Sequence, residues 1–108
     1  MKSFKALSLT KWTVYILLCN DSSFYTGITN DLNRRLLQHE KGDGARYTKG
    51  RGPFKVIYKA LFNNQSEALK EERRIKKLPK SSKIKLTNNY LSDKTKLTWE
   101  VLNGTGYL

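Results

Sequence analysis

The residues of this 108-residue sequence best suited to chemistry lie in three places. Tyr15 and Tyr25 stand ten positions apart, on either side of the turn cluster Asn20-Asp21-Ser22. Arg35 and His39 are four apart in a stretch with helical leucine spacing, so they are neighbours on one helix face. Glu71 and Glu72 belong to a later helical stretch. Advancing about 100° per residue puts Glu72 inside its apolar sector and Glu71 between Ile75 and Leu78. A carboxylate on an inward face is costly unless a metal or another cation meets it. Together these groups can move protons, hold an oxyanion and bind a cation. Net charge suggests the substrate. Twenty-one Lys and Arg against 9 acids give +12 and a pI near 10.0. So basic a chain repels itself unless an anion neutralises it, and nucleic acid is the usual partner.

The elements that must position these residues follow from pattern and punctuation. Trp12 to Cys19 is β-branched, aromatic and apolar on both parities, as a strand covered on both faces should be. Asn20-Asp21-Ser22 turns it into a second strand, Ser23 to Ile28, making a hairpin. Thr29-Asn30-Asp31 offers N-caps to a helix through about Lys41, with Leu32, Leu36 and Leu37 at helical spacing. Phe54 to Phe62 reads as a third strand. Asn64 with Glu67 opens a helix to about Leu78, Pro79 breaks it, and a short helix runs to about Asn89. The expected fold class is α/β: a small, mainly antiparallel three-stranded sheet flanked by helices in the order β-β-α-β-α-α. Residues 1–11 read as a lead-in, 12–90 as the domain, and 91–108 as an extension in which Lys96 to Leu102 resembles a late strand. With 38% hydrophobic residues the chain is globular and has room for one core. A single cysteine, Cys19, and no apolar run of signal-peptide or membrane-spanning length point to a cytoplasmic protein.

Hairpin register decides whether the tyrosines meet. A three-residue loop pairing Cys19 with Ser23 sets Tyr15 opposite Gly27 and Leu17 opposite Tyr25, so Tyr15, Tyr25 and Gly27 share a face. Gly27 would then leave room beside the Tyr15 phenol for a substrate group. A two-residue turn would put the tyrosines on opposite faces. On the first helix, Leu32 and Leu36 flank Arg35 and His39 and place the pair at the edge of the buried stripe, while Arg34 points towards Gln38.

This ordered set resembles the GIY-YIG nuclease superfamily, in particular its small single-domain bacterial branch, from about Trp12 to Leu86. Thr13-Val14-Tyr15 stands where that family has Gly-Ile-Tyr, and Tyr25-Thr26-Gly27 where it has Tyr-Ile-Gly. The steps from Gly27 to Arg35 and on to His39 match. Ala68 to Lys76 looks like the family's glutamate-bearing helix, an alignment that selects Glu72, where periodicity alone does not choose between the two acids. The resemblance implies a hydrolase: an endonuclease cutting phosphodiesters with one divalent metal, Mg²⁺ or Mn²⁺. Tyr15 would be the general base, its pKa of about 10 lowered by nearby cations. His39 would accept or relay the Tyr15 proton, and Tyr25 would position water or phosphate. Arg35 would hold a phosphate oxygen, and Glu72 would carry the metal as Lewis acid.

Thr13, Val14 and Thr26 depart from the motif at scaffold positions and remove no reactive group. Asn88 and Asn89 are candidates for an asparagine the family often places late in the domain. Arg46 and Lys49, in a Gly-bounded loop, read either as substrate contacts or as solvated charges. Trp12, Phe24, Tyr47 and Tyr58 are candidates for base stacking or for the core. The expected substrate is DNA, with repair or processing of unusual structures as the setting, a protein partner as an option and no membrane. The alternative is a basic module that binds DNA or RNA with little cleavage of its own.

Overall fold

The computed structural model describes residues 11–91. It contains β1 (Trp12–Leu18), β2 (Phe24–Thr29), α1 (Leu32–Lys41), β3 (Lys55–Phe62), α2 (Gln65–Lys76) and α3 (Lys80–Tyr90). This is the expected order, and each boundary falls close to its signal. The late strand expected near Lys96 lies outside the described residues.

The sheet is antiparallel throughout, in the order β2-β1-β3. β1 is central, which explains its lack of polar alternation: Thr13 to Cys19 are all buried. The turn takes the three-residue form. Cys19 N–H donates to Ser23 O at 2.9 Å, Ser22 adopts a positive φ of 69°, and an Asp21 carboxylate oxygen accepts from Ser23 N–H at 3.1 Å. Tyr15 consequently opposes Gly27, and Leu17 opposes Tyr25. A bulge between Ile16 and Leu17 lets β3 insert Ile57, which is fully buried in the core.

One sheet face carries Val14, Ile16 and Leu18 and is covered by α2 and α3, which contribute Ala68, Ile75 and Ile84. Burial of such apolar side chains is the main force holding the sheet to the helices. Trp12, Phe24 and Tyr58 pack against this cluster and serve the core. Asn64 caps α2 by accepting from Glu67 N–H at 2.9 Å, and Asp31 caps α1 by accepting from Arg34 N–H at 3.1 Å. Lys80, at the start of α3, donates to Ser22 O at 2.8 Å and ties that helix to the hairpin turn. Among the described residues no helix is long and apolar enough to cross a membrane.

Candidate active site

The opposite sheet face holds the tyrosines. Tyr15 has no exposed surface, and its ring centroid lies 6.2 Å from that of Tyr25. A Cβ on Gly27 would stand 2.7 Å from the Tyr15 hydroxyl and 2.9 Å from the Tyr25 ring. The room at Gly27 is therefore filled by the tyrosines themselves and is not left open for substrate, contrary to the sequence expectation. Glycine is needed there because both rings lean over the β2 backbone.

α1 meets this face through its histidine. Among its residues only His39 is buried, at 1% exposure, while Leu37 is 60% exposed. The imidazole does not sit at the edge of a leucine stripe. It is enclosed edge-on by Tyr15, Tyr25 and Phe54, with centroids 5.8, 5.2 and 5.9 Å away. Its Nε2 is hydrogen-bonded to the Tyr15 hydroxyl at 2.7 Å, and its Nδ1 to Thr48 Oγ1 at 2.8 Å. A methyl on Gly44 would collide with the imidazole, so that loop also approaches at bare-backbone distance.

Arg35 lies beside both phenols, close enough for its charge and hydrogen bonding to act on Tyr15. It also donates to Gln38 at 3.0 Å. Arg34 instead reaches back to Asn30 at 3.4 Å, where the sequence pointed it towards Gln38. The three-residue spacing of Arg35 and Gln38 brings that pair together on one face.

The electrostatics also differ from the sequence reading. Burial pushes the Tyr15 phenol up to about 12, and the hydrogen bond and charge of Arg35 only partly offset it; Tyr25 and Glu72 add to the rise. The phenol therefore keeps its proton at neutral pH and depends on an acceptor. His39 is available for that role. Burial first, and the charge of Arg35 second, lower its pKa from 6.5 to about 4, so the imidazole is neutral.

The two glutamates separate. Glu71 is held by Arg74 through two bonds of 2.8 and 2.6 Å, and its charge acts on Tyr58 on the core side. Glu72 is ion-paired to Lys76 at 3.2 Å, its side chain is 15% exposed, and its charge acts on Tyr15. No group of three His, Cys, Asp or Glu side chains lies together among the described residues. Mg²⁺ needs only one or two carboxylates when water and substrate phosphate complete its shell, so Glu72 fits such an ion.

Arg46 and Lys49 are exposed on the loop that follows α1. Lys49 lines, with His39, Lys41 and Gly50, an open cleft of about 600 Å³. Tyr47, 44% exposed, stacks on Tyr25 and lies beneath the Arg51 guanidinium, which is paired with Asp21 in the hairpin turn. Asn88 is half-buried and Asn89 exposed on α3. Neither Thr48 nor Lys59 stands out in the sequence. Lys59 lies directly across from Tyr15 on β3, exposed on the same face, and strand alternation was the signal that could have found it. Thr48 had no such signal, because it reaches the site from an irregular loop.

The family model of the GIY-YIG catalytic domain matches residues 11–85. A UPF0213 protein from Oceanobacillus iheyensis is 60% identical over 73 residues, covering 68% of this chain and 85% of that relative. Another, from Clostridium perfringens, is 49% identical over 76 residues, covering 70% and 82%. The solution NMR structure of a UPF0213 protein from Bacillus halodurans aligns with a TM-score of 0.52 at 40% identity, over 82% of this chain and 97% of that one. The matched segment includes every described element up to the middle of α3, and with it both tyrosines, Arg35, His39 and Glu72; the chain belongs to the GIY-YIG family.

Proposed function

We propose that this domain is a divalent-metal-dependent endonuclease that hydrolyses phosphodiester bonds in DNA, with branched, flapped or damaged structures as its substrates. The observation that carries the reading is the buried 2.7 Å hydrogen bond between Tyr15 and a neutral His39, with Arg35 and Glu72 acting on the same phenol. A protonated phenol becomes a base when a neighbour takes its proton as it takes another from water. Here His39 is that neighbour, and Tyr25 packs against both rings and holds their orientation. Arg35 binds a non-bridging phosphate oxygen and steadies the charge that builds on it. Glu72 would hold Mg²⁺ or Mn²⁺, which when bound supplies Lewis-acid stabilisation on the leaving-group side. Lys49 in the cleft, Arg46 on the same loop and Lys59 across from Tyr15 would supply positive charge for the flanking phosphates.

The test is cleavage of branched, flapped, single-stranded and duplex DNA with Mg²⁺ or Mn²⁺, beside Tyr15→Phe and Glu72→Ala. Metal-dependent cutting that both substitutions abolish is the expected result. Salt-sensitive binding without cutting, unchanged in Glu72→Ala, would leave a binding module and refute the enzyme. Arg35→Ala should lower kcat more than it weakens DNA binding, because its contact matters most in the transition state.

A further inference from the structure

Thr48 has no exposed surface, and its hydroxyl meets three polar atoms. His39 Nδ1 lies at 2.8 Å, the Ala45 carbonyl oxygen at 3.0 Å and the Ala45 amide nitrogen at 3.3 Å. A hydroxyl has one proton to give and lone pairs to receive with. The Ala45 amide can only donate, and the Ala45 carbonyl can only accept. If Thr48 gives its proton to the carbonyl, Nδ1 must carry a proton and donate it to Oγ1. Nε2 is then bare and accepts from the Tyr15 hydroxyl, so every proton in the row has an acceptor.

The other tautomer does worse. With Nε2 protonated, Nε2–H points at the Tyr15 oxygen, on which the positive charge of Arg35 already acts. The phenol's own proton then loses its acceptor on His39, inside a fully buried residue. Buried polar groups without partners are costly, and among the described residues no buried side-chain polar atom lacks one.

We propose that Thr48 is a positioning residue that holds His39 in the Nδ1–H tautomer and so leaves Nε2 aimed at Tyr15 as the acceptor of its proton. The inference rests on the reading of Tyr15 as the group that activates water, and deepens it. In the step, the Tyr15 O–H bond breaks and an Nε2–H bond forms, while the phenol oxygen takes a proton from the attacking water and releases hydroxide to phosphorus. The imidazolium that results already donates its Nδ1–H to Thr48 Oγ1, whose own O–H goes on donating to the Ala45 carbonyl. No ring flip and no hydroxyl rotation are needed. Thr48 itself touches neither water nor phosphate.

His39 is the only histidine in the chain, so a long-range ¹H–¹⁵N spectrum of the labelled protein reports this one imidazole. At neutral pH the wild-type protein and Thr48→Ser should both show protonated Nδ1 and bare Nε2. Thr48→Val, of similar shape but without the hydroxyl, should shift His39 towards Nε2–H. It should also lower kcat at least about tenfold with little change in KM, and Thr48→Ser should recover it. An Nε2–H tautomer in the wild-type protein, or an unaltered Nδ1–H form in Thr48→Val, overturns the proposal. If Thr48→Val does not fold, the wild-type spectrum decides between the two tautomers. The spectrum needs no DNA and no metal, so a chain that fails to cut would refute the proposed function and leave this test standing.

Discussion

The burial of His39 makes folding stability depend on pH in a window where little else titrates. Its value in the folded chain, about 4, lies below its ordinary 6.5. Above pH 6.5 folded and unfolded chains both keep the imidazole neutral, and it adds no pH dependence. Between about 6.5 and 4 the unfolded chain takes up a proton that the folded chain refuses, so stability falls as the pH falls. One pKa unit corresponds to about 1.4 kcal/mol, and acidification from pH 7 to 5 would remove about 2 kcal/mol at most. His39 also lines the open cleft, whose water screens part of that effect and brings the expected loss to ~1 kcal/mol. In a domain of this size that lowers Tm by about 4–8 °C. Asp21 and Glu71, held below the usual carboxylate range by Ser23 and Arg74 respectively, add their own losses only at lower pH. The assay is denaturation of the wild-type protein and His39→Gln at pH 7, 6 and 5. The variant should be less stable at pH 7 but should lose less between pH 7 and 5. Equal slopes in the two proteins, or an NMR titration of His39 centred near 6.5, would refute the reasoning.

Three further outcomes follow from the same geometry. Gly27→Ala places a methyl against the Tyr15 hydroxyl and the Tyr25 ring; it should cost about 1–3 kcal/mol by overpacking and displace Tyr15, read as lost cleavage in a variant that still folds. Glu71→Gln should cost about 0.5–1 kcal/mol through its pair with Arg74 and keep metal-dependent cleavage, whereas Glu72→Gln should keep stability and lose cleavage. The reverse pattern would exchange the two assignments. Leu37→Ser, on the exposed side of α1, should change stability by less than about 0.5 kcal/mol in urea denaturation; a larger loss would mean that α1 docks through its leucines.

Most of the fold was legible because its signals are local. The unbroken apolar run of β1 announced a central strand, and Asn64 with Glu67 announced the start of α2. Hairpin register was legible only as two alternatives, since the choice depends on how Asp21 and Ser22 close the turn. The bulge that carries Ile57 inward was not legible, because it is a property of two strands and not of one. α1 shows the same limit differently. Its leucine spacing suggested a conventional buried stripe, yet the helix lies against a site face where an imidazole fits between phenols and Leu37 meets water.

The site divides along the same line. Periodicity states which side of an element faces inward, but not what waits there. Glu71 and Glu72 both face inward, and adjacent positions on a helix diverge enough for one to meet Arg74 beside Tyr58 and the other to act on Tyr15. Family resemblance separated them where the pattern could not. Thr48 lies beyond both methods: it is nine residues from His39, on a loop with no repeat to read. Its placement depends on the turn from Ala45, where Thr48 N–H also donates to the Ala45 carbonyl at 3.1 Å. That turn sets the direction of the whole row, because a main-chain carbonyl can only accept. From it the protons are ordered outward through Thr48 and His39 to Tyr15, so the phenol's polarity traces to backbone geometry some thirty residues further along the chain.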